Sequence, residues 1–180
     1  MSKIYLEGSP MNTNSDLPPS GVDLPEFELV NKDLAAVRMT DFQNKKIILN
    51  IFPSIDTPVC ASAVRRFNQE AMNRLNTVVL CVSMDLPFAQ ARFCGSEGLD
   101  HVIMLSDFRT GQFGKDYGVK IIDGPLQGLL ARAVVIVDEN GKVLYSQLVE
   151  EVSLEPDYEL ALAFLRDIRG LNRPLIRFKF

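Results

Sequence analysis

Between Lys46 and Phe52 the chain reads KIILNIF, a nearly unbroken apolar run of the kind that forms a strand covered on both faces. The period then changes. Beyond Pro53, the residues Val64, Phe67, Ala71 and Leu75 recur at helical spacing, while Arg65, Arg66, Gln69, Glu70 and Arg74 fall mostly on the other side, which predicts a helix over 58–75. Pro53 ends the strand, Thr57 suits an N-cap, and Pro58 suits the first helical position, where no N–H is needed. A β-branched run over 77–83 predicts a second buried strand, and a short helix follows from Leu86-Pro87 to Cys94 with Gly95 as its stop. Further strands are expected at 101–105, 133–138 and 142–148, the last two facing each other across Glu139-Asn140-Gly141. Helices are expected near 111–117 and over 155–169, the latter with Leu160, Ala163, Phe164 and Ile168 on one face. Towards the amino terminus, residues 1–23 read as a short strand at 4–6 and then a loop, since Ser9 to Pro25 is rich in Pro, Ser, Gly and Asn. FELV and AAVRM then flank Asn31-Lys32-Asp33 as a hairpin. Alternating strands and helices, closed by a hairpin and a covering helix, predict an α/β three-layer sandwich around a central mixed sheet with an N-terminal β-hairpin.

Composition narrows this picture without changing it. With 180 residues, 47% of them hydrophobic, a single domain over 1–180 can bury a real core. The amino terminus has no charged region followed by a long apolar run, and no eighteen apolar residues occur in succession, so the expectation is no membrane and a cytoplasmic location. A net charge of −4 argues against nucleic acid. Residues 170–180, GLNRPLIRFKF, form a tail whose role the pattern leaves open among covering an apolar patch, extending a subunit contact and being loosely ordered.

Three cysteines without close pairing do not form a disulfide framework, and in a reducing compartment a specially placed cysteine is more often catalytic. Cys60 is so placed. It falls in the first turn of the helix after the apolar strand, where open N–H groups and the helix dipole favour an anion, and a thiolate is the form that attacks. Cys81, within TVVLCVS, reads as core. Cys94, at the end of a short helix, reads equally well as a structural cysteine or as a thiol that meets a partner when segments move. Arg132 on residue pattern alone is a solvated arginine at a strand entrance, and Pro53 a strand terminator. Asp123-Gly124-Pro125 and Gly128 mark a loop ahead of Arg132 that is either an ordinary turn or part of a pocket. Three rival chemistries remain. Cys60 and Arg66 satisfy the C-x5-R spacing of cysteine phosphatases, though Ala61 to Val64 lacks the glycine-like freedom a phosphate loop needs. A metal site would have to draw on Cys60, Cys81, Cys94 and His101, which are too widely spread, and His101 is better placed in the core or at a strand edge. The last is a non-enzymatic binding protein whose cysteines are incidental.

PSIDTPVC with ASAVRRFN, then SMDLPFAQARFC, FGKDYGV, DGPLQGLLARAV and DENGKVLYSQLV, in this order, strongly resemble the thiol peroxidases, which are atypical two-cysteine peroxiredoxins. The resemblance spans roughly 23–164. It implies a thioredoxin-like fold, a homodimer, no cofactor, and reduction of hydrogen peroxide and organic hydroperoxides with thioredoxin as electron donor. It also implies roles: Pro53, Thr57 and Cys60 match the proline, threonine and peroxidatic cysteine of P-x-x-x-T-x-x-C, Cys94 matches the resolving cysteine, and Arg132 the arginine that completes the site. Cys60 would become a sulfenic acid and then a disulfide with Cys94. Apolar neighbours such as Ile55, Pro58 and Phe88 incline the expectation towards organic hydroperoxides. Bridging Cys60 and Cys94 requires α-carbons within about 7 Å, so local unwinding of one or both segments is expected between the reduced and disulfide forms.

Overall fold

The computed structural model describes residues 1–165, so the end of the last expected helix and the tail at 170–180 lie outside the described residues. Seven strands form one mixed sheet: β3 (Glu28–Val30), β4 (Ala36–Arg38), β5 (Lys46–Ile51), β6 (Thr77–Ser83), β7 (Val102–Ser106), β8 (Ala133–Val137) and β9 (Val143–Leu148), in the order β4-β3-β7-β6-β5-β8-β9. β5, β6 and β7 run parallel, and antiparallel strands flank them on both sides.

β5 shows why the apolar run has its form. Ile47, Leu49 and Ile51 point into one core cluster and Ile48 and Phe52 into another, so both faces of the strand are buried. Helices α1 (Pro58–Met72), α2 (Pro87–Glu97) and α4 (Tyr158–Ala163) cover the second face. The first face is covered by α3 (Gln112–Asp116), through Phe113, and by a two-stranded hairpin of β1 (Lys3–Leu6) and β2 (Ser9–Asn12), through Ile4 and Met11. The result is the expected three-layer arrangement.

Four local expectations are corrected. Ser9 to Asn12 is not loop but β2, joined to β1 by Glu7-Gly8, both at positive φ (50° and 81°), the dihedral signature of a tight hairpin turn. α1 stops at Met72, capped at Asn73, and Leu75 beyond it is 96% exposed. α2 does not stop at Gly95: it runs on to Glu97, and Gly98, left-handed at φ 64°, is its cap. α4 buries the opposite stripe from the expected one. Asp157 is the N-cap, accepting from the Leu160 N–H, and Tyr158 packs edge-on against Phe67. That sets the phase so that Ala161, Leu162 and Leu165 face the core, while Leu160 and Phe164 are exposed. His101 is exposed just outside β7, its backbone N–H donating to Asn68 Oδ1, and so has no core role. At residues 39–42 a single 3-10 turn joins β4 to β5, an element the pattern did not suggest.

Candidate active site

Cys60 sits in the first turn of α1, above the C-terminal end of β5 and fully buried. Pro53 and the loop 53–57 carry the chain from strand to helix. Thr57 occupies the N-cap position with extended backbone, yet its hydroxyl does not cap the helix as expected; it donates instead to the Ser54 carbonyl at 3.1 Å. The open end of α1 therefore has no cap from the Thr57 side chain.

Arg132 reaches Cys60 from the other side. It immediately precedes β8, the antiparallel neighbour of β5, so the two strand ends bring residues 72 positions apart into contact. Its Nη2 lies 3.4 Å from Cys60 Sγ. The solvated-arginine reading is excluded, because Arg132 is only 2% exposed. Nε and Nη2 both donate to the Val152 carbonyl, at 3.0 and 2.9 Å, and Nη1 is buried without a hydrogen-bond partner among the described residues. Among the described residues no carboxylate pairs with this guanidinium, so its charge is held by a neutral acceptor and remains available to an anion beside it.

Arg132, Thr57 and Pro53 line a cavity of about 350 Å³. Its other walls are largely apolar, with Leu126 and Leu129 from the loop ahead of Arg132, Val152 and Ser153 from the segment after β9, and Leu6 and Glu7 from the β1–β2 hairpin. The loop over 123–129 is thus part of the pocket rather than an ordinary turn. Of the apolar neighbours expected here, Pro58 lines the cavity, Ile55 is buried in the core beneath, and Phe88 is 65% exposed outside it. Nothing in the sequence pointed to the hairpin or to Glu151–Ser153 as parts of this site.

Cys94 lies on α2, in the final turns of the helix rather than at a frayed end: its carbonyl accepts from both Gly98 N and Leu99 N. It packs at the margin of the core cluster that contains Cys60 and Cys81, and all three cysteines are free thiols. Burial raises the Cys94 thiol above its ordinary value, and the carboxylate of Asp100 adds to the effect. Cys81, fully buried on β6, has Asn50 Nδ2 3.6 Å from its sulfur, and burial pushes it up to about 12. Such a thiol stays protonated and inert, as a core cysteine does.

The loop before Cys60 and the helix carrying Cys94 are tied by one carboxylate. Asp85 accepts from Ser54 Oγ (2.8 Å), Ile55 N (2.7 Å) and Ser83 Oγ (2.7 Å), and Ser83 Oγ in turn accepts from Gln90 of α2 at 3.0 Å. Arg65 of α1 makes a two-pronged ion pair with Glu97 of α2, at 2.8 and 3.0 Å. The phosphatase geometry is absent: residues 61–66 are continuous helix, and Arg66 points away towards Glu70, Glu159 and Tyr158. Among the described residues no cluster could hold a metal ion, and no helix is long and apolar enough to cross a membrane.

Comparison with known proteins places this geometry in a family. Residues 19–162 match the Redoxin family. A thiol peroxidase of Corynebacterium glutamicum is 53% identical over 165 residues, 92% of this chain and 99% of that one. Among solved structures, a peroxiredoxin-like protein from Aquifex aeolicus superimposes with a TM-score of 0.85 at 39% identity, covering 92% of this chain and 96% of its own. A thiol peroxidase from Chromobacterium violaceum, at 22% identity, gives the same TM-score over 94% and 98% and so shares the thioredoxin-like fold.

Proposed function

The chain belongs to the Redoxin family and, within it, to the thiol peroxidases, and from that premise we propose that it reduces hydroperoxides at Cys60 with Cys94 as the resolving thiol. The observation that carries the proposal is the buried contact of Arg132 Nη2 with Cys60 Sγ at the edge of a cavity lined by Thr57 and Pro53.

The chemistry follows from the donors present. The Arg132 guanidinium, with Nη2 3.4 Å from Cys60 Sγ, sets a positive charge and hydrogen-bond donors beside the attacking sulfur. The thiolate attacks the terminal oxygen of the peroxide, an S–O bond forms as the O–O bond breaks, and the departing oxygen leaves as alkoxide or hydroxide and takes up a proton. Thr57 Oγ1 has its proton committed to the Ser54 carbonyl, so it accepts from the peroxide O–H and holds the oxygen in line. Arg132 Nη1, a donor with no partner among the described residues, stabilises the charge that moves onto the oxygens. Pro53 shields the reacting sulfur from water.

Cys60 is left as a sulfenic acid. Attack by Cys94 forms the disulfide and releases water, which pre-empts further oxidation. Because Cys94 is held in a hydrogen-bonded helix, this step requires α2 to open, and thioredoxin then reduces the bridge by thiol exchange. The apolar walls at Leu6, Val59, Leu126, Leu129 and Val152 suit alkyl hydroperoxides as well as hydrogen peroxide. The working form is a cytoplasmic homodimer of single-domain subunits.

The test follows NADPH consumption with thioredoxin, thioredoxin reductase and cumene hydroperoxide. Cys60→Ser abolishes turnover, Cys94→Ser lowers it at least tenfold, and Cys81→Ser leaves it within twofold of the unsubstituted protein. Turnover that survives Cys60→Ser overturns the proposal.

A further inference from the structure

We infer that Glu151 is a positioning residue for Arg132, acting through the Val152 carbonyl, and that the β1–β2 hairpin tip it holds is a functional wall of the peroxide cavity. The inference rests on the assignment of Cys60 and Arg132 made above.

Arg132 is aimed at Cys60 by a single acceptor, the carbonyl of Val152, which takes both Nε and Nη2. A backbone carbonyl in a segment after the last strand can hold a guanidinium only as firmly as that segment is itself held. Val152 packs its side chain in the core, and the backbone of residues 150–153 is hydrogen-bonded to the amino-terminal hairpin and to the Glu151 carboxylate. Tyr5 N donates to the Glu150 carbonyl at 2.6 Å, and Val152 N donates to the Tyr5 carbonyl at 2.9 Å. The Glu151 carboxylate binds in two directions. Its Oε1 accepts from Glu7 N (3.1 Å), Ser153 N (3.2 Å) and Ser153 Oγ (2.7 Å), and its Oε2 accepts from Gly8 N (3.2 Å).

One carboxylate thus closes the peptide on the far side of Val152 and also ties it to the hairpin turn. The charge of Glu151 is satisfied by N–H groups and a hydroxyl rather than by Arg132, so it orients the guanidinium through an intermediary without neutralising it. A direct Glu–Arg pair at the same place would blunt the attraction that Arg132 exerts on a thiolate. These hydrogen bonds, led by that from the Ser153 hydroxyl, hold the Glu151 carboxyl down at about 2, so the clamp is charged throughout the range in which the enzyme works.

The same contacts set the shape of the cavity. Leu6 and Glu7, at the end of β1 and in the turn, line it opposite Pro53 and Thr57. On its other strand the hairpin is fastened to the second wall: Asp123 accepts from Asn12 N and Asn12 Nδ2, both at 2.7 Å, ahead of Leu126 and Leu129. Releasing the tip therefore widens the cavity on the side where an organic substituent would lie.

The experiment compares unsubstituted protein with Glu151→Ala and Glu151→Gln in the thioredoxin-coupled assay, with hydrogen peroxide and with cumene hydroperoxide. For Glu151→Ala the expected result is a loss of about tenfold in kcat/KM for both peroxides, larger for cumene hydroperoxide, with kcat at saturating peroxide within twofold. A lesion that merely unfolds part of the sample lowers kcat and kcat/KM together, so the split separates positioning from instability. Glu151→Gln keeps one acceptor oxygen but sets an NH2 against the second N–H, and it recovers part of the loss. If Glu151→Ala does not fold, Glu151→Gln alone decides by the same split. A kcat/KM equal to that of the unsubstituted protein in a folded variant overturns the inference. Unsubstituted protein that leaves both peroxides intact overturns the peroxidase reading itself, and the positioning inference with it.

Discussion

Three cysteines share one core cluster, yet their surroundings assign them different chemistries. Cys60 meets a guanidinium, Cys94 a carboxylate and a partly dry helix face, and Cys81 only an amide. For a thiol, a raised value means that the neutral form persists to higher pH, so in the folded protein Cys94 is a weak nucleophile near neutrality and gains reactivity as pH rises. Iodoacetamide labelling of the reduced protein near neutral pH, read by peptide mass spectrometry, is expected to modify Cys94 several-fold more slowly than free cysteine and to leave Cys81 untouched. Asp100→Asn, by removing the like charge, speeds labelling of Cys94. Equal labelling of Cys81 and Cys94 in the folded state would contradict this assignment. At this scale the sequence was informative wherever a residue's role depends on its near neighbours. Pro53, Thr57 and Cys60 declare themselves within one octapeptide. Glu151 could not, because its hairpin partners, Glu7 and Gly8, are 144 and 143 positions away and a glutamate after a strand has no local signature.

At the scale of elements, α1 and α2 are fastened twice, by Asp85 near their amino termini and by a pair from Arg65, midway along α1, to Glu97 at the carboxyl end of α2. In the proposed resolution by Cys94, opening α2 would break the second fastening. Half-exposed ion pairs contribute little to stability, so Glu97→Gln is expected to raise the rate of Cys60–Cys94 disulfide formation by roughly two- to threefold while leaving the reaction with peroxide unchanged. Rapid-quench analysis of single turnovers measures both, and an unchanged disulfide rate would show that α2 opens without parting from α1. The helices were legible in the apolar period, but their ends and phases less so. Gly95 looked like a stop, but it is Gly98 that takes the left-handed turn. α4 carries two apolar stripes, and tertiary packing, including Tyr158 against Phe67, selects the one that is buried. β2 was missed because Ser-Pro-Met-Asn has little strand propensity of its own; its pairing comes from the Glu7-Gly8 turn and from the bonds beyond it.

Taken whole, the molecule separates what stays from what moves. β5, β6 and β8 are buried on both faces and hold the Cys60 loop and Arg132 at adjoining strand ends, whereas α1 and α2, the helices that the proposed disulfide would rearrange, lie together in one outer layer. Hydrogen exchange compared between the reduced and disulfide forms is expected to show unchanged protection across 46–51, 79–83 and 133–137, with protection lost over 88–97 and in the first turn of α1. Loss of protection in the central strands would mean that the change is not local. One feature reaches beyond the catalytic cycle. Cys60 is 0% exposed, and the arginine that touches its sulfur lines a cavity of about 350 Å³. A reactive sulfur in that position is hidden from bulky disulfides, from other proteins' thiols and from large electrophiles, while a slim oxidant can still slip past. On the proposed function the fold is a molecular sieve, in which discrimination among the oxidants of a crowded cell is set as much by what cannot fit as by what binds.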